Sequence, residues 1–196
     1  MGRFHLCWFA MRIVAGRYRS RVLQAPAGLA TRPTSDRLRE TLFNVLAPRI
    51  AGAAFLDLYA GSGAVGLEAA SRDAARVACV ERAPAALKAL RGNVARLGVT
   101  EGLRVEAASV PAWLKRAQGP WDIVFLDPPY DAEEEYERTL GALGGAAAGL
   151  LAEGAVVIAE HRRKQRLADA YGVLKRVRLL EQGDAALSFY EAAASC

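Results

Sequence analysis

The run Phe55-Leu-Asp-Leu-Tyr-Ala-Gly-Ser-Gly-Ala-Val-Gly66 passes from an apolar strand pattern into a glycine-rich turn that opens a helix. Gly61, Gly63 and Gly66 carry the spacing that lets a backbone come close to a nucleotide-bearing ligand while helix N–H groups face it. Alone, that spacing is a weak signal. Glu81 follows Gly61 by 20 residues, at the end of the next apolar run, where a carboxylate can accept two hydrogen bonds from ribose hydroxyls. Both features suit any adenosine-bearing cofactor. Asp57, four residues before Gly61, discriminates between them, because an anion repels a pyrophosphate and attracts a cationic amino-acid group. It points to S-adenosylmethionine rather than NAD. The alternative for Asp57 is a turn-capping aspartate.

A second stretch, Asp127-Pro128-Pro129-Tyr130, directly follows the apolar run Trp121 to Leu126. Two prolines stiffen the chain as it leaves a strand, holding one carboxylate, one backbone carbonyl and one aromatic ring in fixed relation. That set suits an exocyclic amine. The amine donates two hydrogen bonds, which Asp127 and the Pro128 carbonyl can accept, while Tyr130 stacks on the base. Without the cofactor turn upstream, the same four residues would read as a plain Pro-Pro turn.

These residues need a scaffold. From residue 54 onward, short β-rich runs alternate with Ala/Leu/Arg stretches, the pattern of β-α units in a parallel sheet. Strands are predicted at Ala54–Leu58, Arg76–Glu81, Leu103–Ala107, Trp121–Asp127, Ala155–Glu160, Val173–Leu180 and Ala186–Glu191. Helices are predicted to begin near Gly63, Pro84, Pro111, Ala132 and Arg163. The short Glu181 to Ala185 link makes the last two strands an antiparallel hairpin at the sheet edge. The expected architecture is α/β, a doubly wound, seven-stranded, mostly parallel sheet over residues 51–196 behind a small N-terminal extension, 1–50. In that extension, basic and apolar residues alternate around Gly16, predicting a two-stranded ribbon with its arginines on one side. Thr34 or Ser35 then caps a helix that Pro48 stops.

Composition bounds the rest. At 196 residues and 53% hydrophobic, the chain can bury a sizeable core. Its longest uncharged stretch, Thr139 to Ala152, falls short of a membrane span, and no signal-peptide pattern opens the chain, so a soluble cytoplasmic protein is expected. The first 50 residues carry net charge +7 whereas the whole chain carries +5, which concentrates positive charge at the front and suits a polyanion partner. Cys7, Cys79 and Cys196 show no metal-ligand or disulfide spacing, and His5 and His161 lie away from both motifs. No metal site is expected, the cysteines read as reduced bystanders, and His161 reads as a surface residue.

Taken together, Asp57-Leu-Tyr-Ala-Gly-Ser-Gly-Ala-Val-Gly and Asp127-Pro-Pro-Tyr resemble the cofactor and catalytic motifs of class I S-adenosylmethionine-dependent amino-methyltransferases. The front segment, Arg12-Ile-Val-Ala-Gly-Arg-Tyr-Arg-Ser-Arg followed by Thr31-Arg-Pro-Thr-Ser-Asp-Arg-Leu-Arg-Glu-Thr-Leu-Phe-Asn44, is similar to the bacterial 16S ribosomal RNA guanine-N2 methyltransferases. The likeness runs from about Met11 to Glu191. It implies a Rossmann-like fold and methylation of one guanine N2 amine in small-subunit ribosomal RNA. It implies that Asp57, Tyr59, Gly61, Ser62, Gly63, Glu81, Arg82, Ser109 and Val110 hold S-adenosylmethionine, with Asp127, Pro128, Pro129 and Tyr130 as the catalytic set. Arg17, Arg19, Arg21, Arg32, Thr34 and Arg37 would meet the RNA, and Arg39 is a further candidate on the same helix. A monomer is expected. Ser109 departs from the pattern, since many such enzymes place an acid or amide there to hold the adenine amine. Three alternatives stay open: an adenine-N6 methyltransferase, a dinucleotide-dependent oxidoreductase, and a non-catalytic RNA-binding assembly factor.

Overall fold

The structure, a computed structural model, describes residues 11–26, 36–129 and 132–192. Tyr130, Arg32, Thr34 and Ser35 lie outside the described residues, as do His5, Cys7 and Cys196. The chain order is α1 (Asp36–Leu46), β1 (Ala54–Leu58), α2 (Ala64–Ser71), β2 (Arg76–Glu81), α3 (Pro84–Leu97), β3 (Leu103–Ala107), α4 (Val110–Leu114), β4 (Trp121–Leu126) and α5 (Glu133–Gly144). A single 3-10 turn, Ala148–Leu150, leads into β5 (Leu151–Arg162), then β6 (Ala170–Tyr171), β7 (Leu174–Gln182) and β8 (Ala185–Ala192).

One sheet holds all the strands in the order β3-β2-β1-β4-β5-β8-β7-β6. β3 to β5 run parallel, and β8, β7 and β6 add on antiparallel. The chain reverses its direction of travel across the sheet between β1 and β4, so the carboxyl ends of these two strands flank the crevice where ligands of such sheets bind. Side chains alternate along β1: Phe55 packs with α1, α2 and α3 residues on one face, while Leu56 and Leu58 pack with those of α4 and α5 on the other. Parallel strands covered on both faces read as continuous apolar runs, which is why β1, β2 and β4 were visible in the sequence.

The structure differs from expectation in four places. There is an eighth strand, the two-residue β6. No helix begins at Arg163: Arg162-Arg-Lys-Gln-Arg166 has no apolar stripe to bury, and the chain turns there instead, with Gln165 N donating to Arg162 O at 2.9 Å. His161 is not on the surface but 2% exposed, because β5 extends past Glu160 and lies between β4 and β8. Its Nε2 meets Ser188 Oγ and its Nδ1 meets Arg162 O, both at 2.9 Å, and burial lowers its pKa. Arg39 is buried rather than turned toward an RNA, for the reason given next.

Residues 11–23 form a short ribbon with one ladder pair, Arg12 with Val22, and backbone bonds from Ile13 N to Arg21 O and Leu23 N to Met11 O. Met11, Ile13 and Leu23 bury themselves against Ala64, Leu67 and Leu97, and Arg12, Arg17, Arg19 and Arg21 stay exposed. The polar anchor is Glu68 of α2, which is fully buried. It accepts hydrogen bonds from Val14 N (2.7 Å), Ala15 N (2.9 Å) and Arg72 Nε (2.8 Å), and faces Arg39 Nε at 3.8 Å. Arg39 also donates to the Arg12 carbonyl and to Asp36. One carboxylate thus ties the ribbon, α1 and α2 together. At the ribbon turn, Gly16 has φ +82°, and a Cβ there would lie 1.9 Å from Ser71 O, so only glycine fits.

Removing Glu68 leaves buried Arg39 with only the partly exposed Asp36 as a carboxylate partner and strips Val14 N, Ala15 N and Arg72 Nε of their acceptor, and breaking a buried polar cluster from one side costs about 3 to 5 kcal/mol. Glu68→Ala is expected to lower the unfolding free energy in urea by that amount, with Glu68→Gln losing less. A loss below about 1 kcal/mol for Glu68→Ala, the range of exposed ion pairs, would show that Glu68 is no anchor.

Candidate active site

The parallel strands all end on one edge of the sheet, and four neighbouring ones bring carboxylates there. Glu81 closes β2, Asp57 is the penultimate residue of β1, Asp127 follows β4, and Glu160 lies near the end of β5. The registers Leu58 with Val80, Leu58 with Leu126 and Leu126 with Ala159 place these ends side by side. All four side chains line one cavity of about 1390 Å³, walled also by Tyr59, Gly61, Ser62, Arg82, Ser109, Val110, Pro128 and Pro129. Of the residues expected to hold a cofactor, all line it except Gly63, which turns the same loop.

Asp57 is 1% exposed, and its Oδ2 accepts from Gly66 N at 2.8 Å in the first turn of α2. Asp57 therefore caps α2 and also lines the cavity. Gly66 must be glycine for this contact, because a Cβ would come within 2.4 Å of Cys79 Sγ and 3.1 Å of Asp57 Oδ2. Desolvation pushes the Asp57 pKa up to about 7, against the Gly66 hydrogen bond that lowers it, and Glu81 and Glu160 add repulsion. Burial also holds Asp127 well above the usual carboxylate range, with Glu160 and then Asp57 adding to it. The same burial raises the Cys79 thiol.

Glu81 is engaged by backbone. Gly61 N donates to Oε2 at 2.8 Å, and Arg82 N and Ala83 N donate to Oε1 at 2.7 Å each. The carboxylate thereby shapes the glycine loop as well as facing the cavity. Tyr59 sits at φ +64°, a conformation rare outside glycine, and its hydroxyl contacts Glu135 Oε2 (2.9 Å) and Thr139 Oγ1 (2.7 Å) on α5. Ser62 faces inward, and its carbonyl accepts from Asn93 Nδ2 at 3.0 Å. Asn93 in turn exchanges hydrogen bonds with the Gln24 backbone, at 2.8 and 3.0 Å, pinning the glycine loop to the ribbon's return strand. Ser109 and Val110 begin α4, and the Pro129 carbonyl accepts from Ala132 N at the entry to α5.

The expected RNA-facing residues separate. Arg37 lies in the first turn of α1, next to Leu38, which lines the cavity. Arg17 and Arg19 sit on the ribbon turn, where Arg17 N donates to Ser71 O at 2.7 Å and its guanidinium pairs with Asp73 at 3.0 Å. Sequence reasoning missed Glu160, Asn93 and Glu68. A glutamate inside an apolar strand, as in Ala155 to Glu160, was the available signal for the first; Glu68 leaves only its i,i+4 spacing to Arg72, and Asn93 makes long-range contacts that leave no local mark.

The chemistry of the cavity fits an adenosyl ligand with a cationic end: a glycine loop, Glu81 beside it, and the buried carboxylate of Asp57 at the base of that loop. The Asp57 pKa gives a pH dependence of definite sign. In the folded protein Asp57 holds its proton more tightly than in the unfolded chain, so its burial costs nothing below about pH 4, and the cost is complete above about pH 7. A cation beside Asp57 binds its ionised form. Affinity for S-adenosylmethionine, measured by calorimetry, is expected to strengthen between about pH 5.5 and 7.5 with proton release on binding, and Asp57→Asn is expected to flatten that profile. Equal pH profiles in the two proteins would remove Asp57 from the cationic end.

The family model described as "Conserved hypothetical protein 95" matches residues 11–191. The chain is 33% identical over 185 residues to the Bacillus subtilis protein named "Putative rRNA methyltransferase YlbH", covering 92% of this chain and 98% of that one. It is 45% identical over 120 residues to "Ribosomal RNA small subunit methyltransferase D" of Escherichia coli, an alignment covering 61% of this chain and 60% of that one. Among solved structures, "Putative methyltransferase yhhF from Escherichia coli" superposes with TM-score 0.83 at 35% identity, covering 95% of this chain and 99% of the other. The match begins where the ribbon begins and ends in β8, taking in the whole carboxylate-lined edge, and the chain belongs to this family, with the Rossmann-like fold of class I methyltransferases.

Proposed function

We propose that this protein transfers a methyl group from S-adenosylmethionine to the exocyclic N2 amine of a guanine in 16S ribosomal RNA. The observation that carries the reading is that Asp127 and Pro128 share one cavity with the glycine loop, Asp57 and Glu81. The names of the similar proteins support an rRNA substrate, and the front segment's likeness to guanine-N2 enzymes supports the choice of base.

S-adenosylmethionine supplies an electrophilic methyl group on a sulfonium centre. The protein's task is to present a nitrogen to it. A guanine N2 lone pair is delocalised into the ring, so the base must be turned out of its stack and the amine aimed in line. Asp127 and the Pro128 carbonyl are the acceptors that aim it. The positive charge that grows on the nitrogen as it takes up the methyl group would be stabilised by the Asp127 carboxylate in its ionised form. The surplus proton then leaves the nitrogen for Asp127 or solvent. The neighbouring Glu160, which raises the proton affinity of Asp127, makes that carboxylate a better acceptor. Asp57 and Glu81 would hold the amino-acid and ribose ends, and Ala108, Ser109 and Val110 the adenine side of the cavity. Tyr130, by its place in the chain, would supply a stacking ring.

Asp127→Ala removes an acceptor that matters most when charge develops, so single-turnover methyl transfer to small-subunit particles should fall roughly 100-fold or more with S-adenosylmethionine affinity little changed. Tyr130→Ala should lose about 1 to 3 kcal/mol of base stacking, and Tyr130→Phe should recover most of it. Near-normal rates in Asp127→Ala would sink the mechanism. Methyl groups found by mass spectrometry on adenine instead of guanine would sink the choice of base.

A further inference from the structure

We infer that the turn following β5, through Arg162, Arg163 and Lys164, grips the RNA phosphates that flank the target nucleotide. The inference rests on the methyl-transfer reading above and assigns the substrate's backbone to residues outside the basic N-terminal segment.

The first step is where the N-terminal arginines are. Helix α2 starts at Ala64 beside the glycine loop and ends at Ser71, so its eight residues span about 12 Å from the cavity edge of the sheet toward the opposite edge. The ribbon turn is fastened to that far end, by Arg17 N to Ser71 O and Tyr18 N to Ser71 Oγ. Asp73, which pairs with Arg17, has its carbonyl bonded to Gly52 N, just before β1 begins. Arg17 and Arg19 therefore stand at the starting edge of the parallel strands. Asp127 stands at the finishing edge.

A nucleotide whose base enters the cavity brings its 5′ and 3′ phosphates to the cavity mouth, so their partners must be cations on the finishing edge. Among the described residues lining the cavity, the cations are Arg82, Arg138, Arg162, Arg163 and Lys164. Arg138 is paired with Glu134 and Glu135. Arg162, which ends β5, and Arg163 and Lys164 in the turn after it are consecutive, exposed and begin two residues after Glu160, so they present three cationic side chains at one place on the cavity wall. Arg163 is anchored through its backbone, its N–H donating to Asp184 O at 2.8 Å, so the turn has a set position whatever its side chain does. Its guanidinium meets Glu181 at 3.1 Å with the side chain 59% exposed, a water-screened pair that a phosphate can displace. The basic run that prevents a helix after β5 thus lies at the mouth of the cavity that holds Asp127.

The test compares wild type, the double variant Arg163→Ala/Lys164→Ala and the double variant Arg17→Ala/Arg19→Ala, using small ribosomal subunits unmodified at the target base, over a range of salt concentrations. The turn variant should raise the KM for subunits about tenfold and flatten the slope of log affinity against log salt by about 1.4, two single-strand phosphate contacts, with kcat within about twofold and S-adenosylmethionine affinity unchanged. Arg163→Lys/Lys164→Arg should keep the wild-type slope. The ribbon variant should change KM less than the turn variant does. Failure of the wild type to methylate subunits would overturn the proposed function itself. An active wild type whose turn variant keeps its KM and salt slope, or loses only kcat or cofactor affinity, would overturn this inference alone.

Discussion

Four carboxylates, Glu81, Asp57, Asp127 and Glu160, stand at the ends of four adjacent parallel strands, where the apolar interior opens into one cavity. Burial raises the proton affinity of Asp57 and Asp127, and the neighbouring carboxylates add to it. Such an edge is tolerated because backbone N–H groups are aimed at it. Gly66 N serves Asp57, and Gly61, Arg82 and Ala83 N serve Glu81. Those donors are available only because the chain turns sharply after β1 and β2, so the glycine loop, the start of α2 and the start of α3 are all held in place by charge at the sheet edge. The buried carboxylate of Asp57 at this edge suits the cationic end of a ligand.

A second carboxylate organises the other side of α2. Glu68 is fully buried and collects two ribbon N–H groups and the Arg72 side chain while facing Arg39. Through it the first turn of α1, the ribbon and α2 form one polar cluster. Asn93 repeats the device on α3, joining Gln24 of the ribbon to Ser62 of the glycine loop. The ribbon is thus structurally part of the cofactor loop's support, and only its exposed arginines are available for a partner.

The arrangement divides the molecule's positive charge by height along the sheet. Arg17 and Arg19 lie at the starting edge, and Arg162, Arg163 and Lys164 lie at the cavity. An RNA bound over both would cross the ribbon face with its target nucleotide at the carboxylate edge. The composition shows the first group as a bias toward the N-terminus, and the second is hidden in it because acidic residues such as Glu181 of β7 and Asp184 of the β7–β8 turn offset it in the count.

The sequence by itself determined the strands β1 to β4, the glycine loop and the Asp127-Pro128-Pro129 wall, because a strand buried on both faces and a turn stiffened by proline or freed by glycine leave marks within a few residues. It also marked the cavity-lining positions Asp57 and Glu81 by their places at strand ends, while Ser109 and Val110 came from the family resemblance. Only the tertiary structure decided the rest. That His161 and Arg39 are buried depends on β8 lying against β5 and on Glu68 reaching across from α2, contacts between residues far apart in the chain. That Asp57 both caps α2 and faces the cavity depends on Gly66 and Cys79 leaving room for its carboxylate. That Glu160 and the basic turn after β5 belong to the site, while Arg17 and Arg19 sit at the opposite edge, depends on strand order and on the direction of α2. Local pattern records which residues a segment can bury; it does not record which distant segment will bury them, and that pairing placed each charge in this protein.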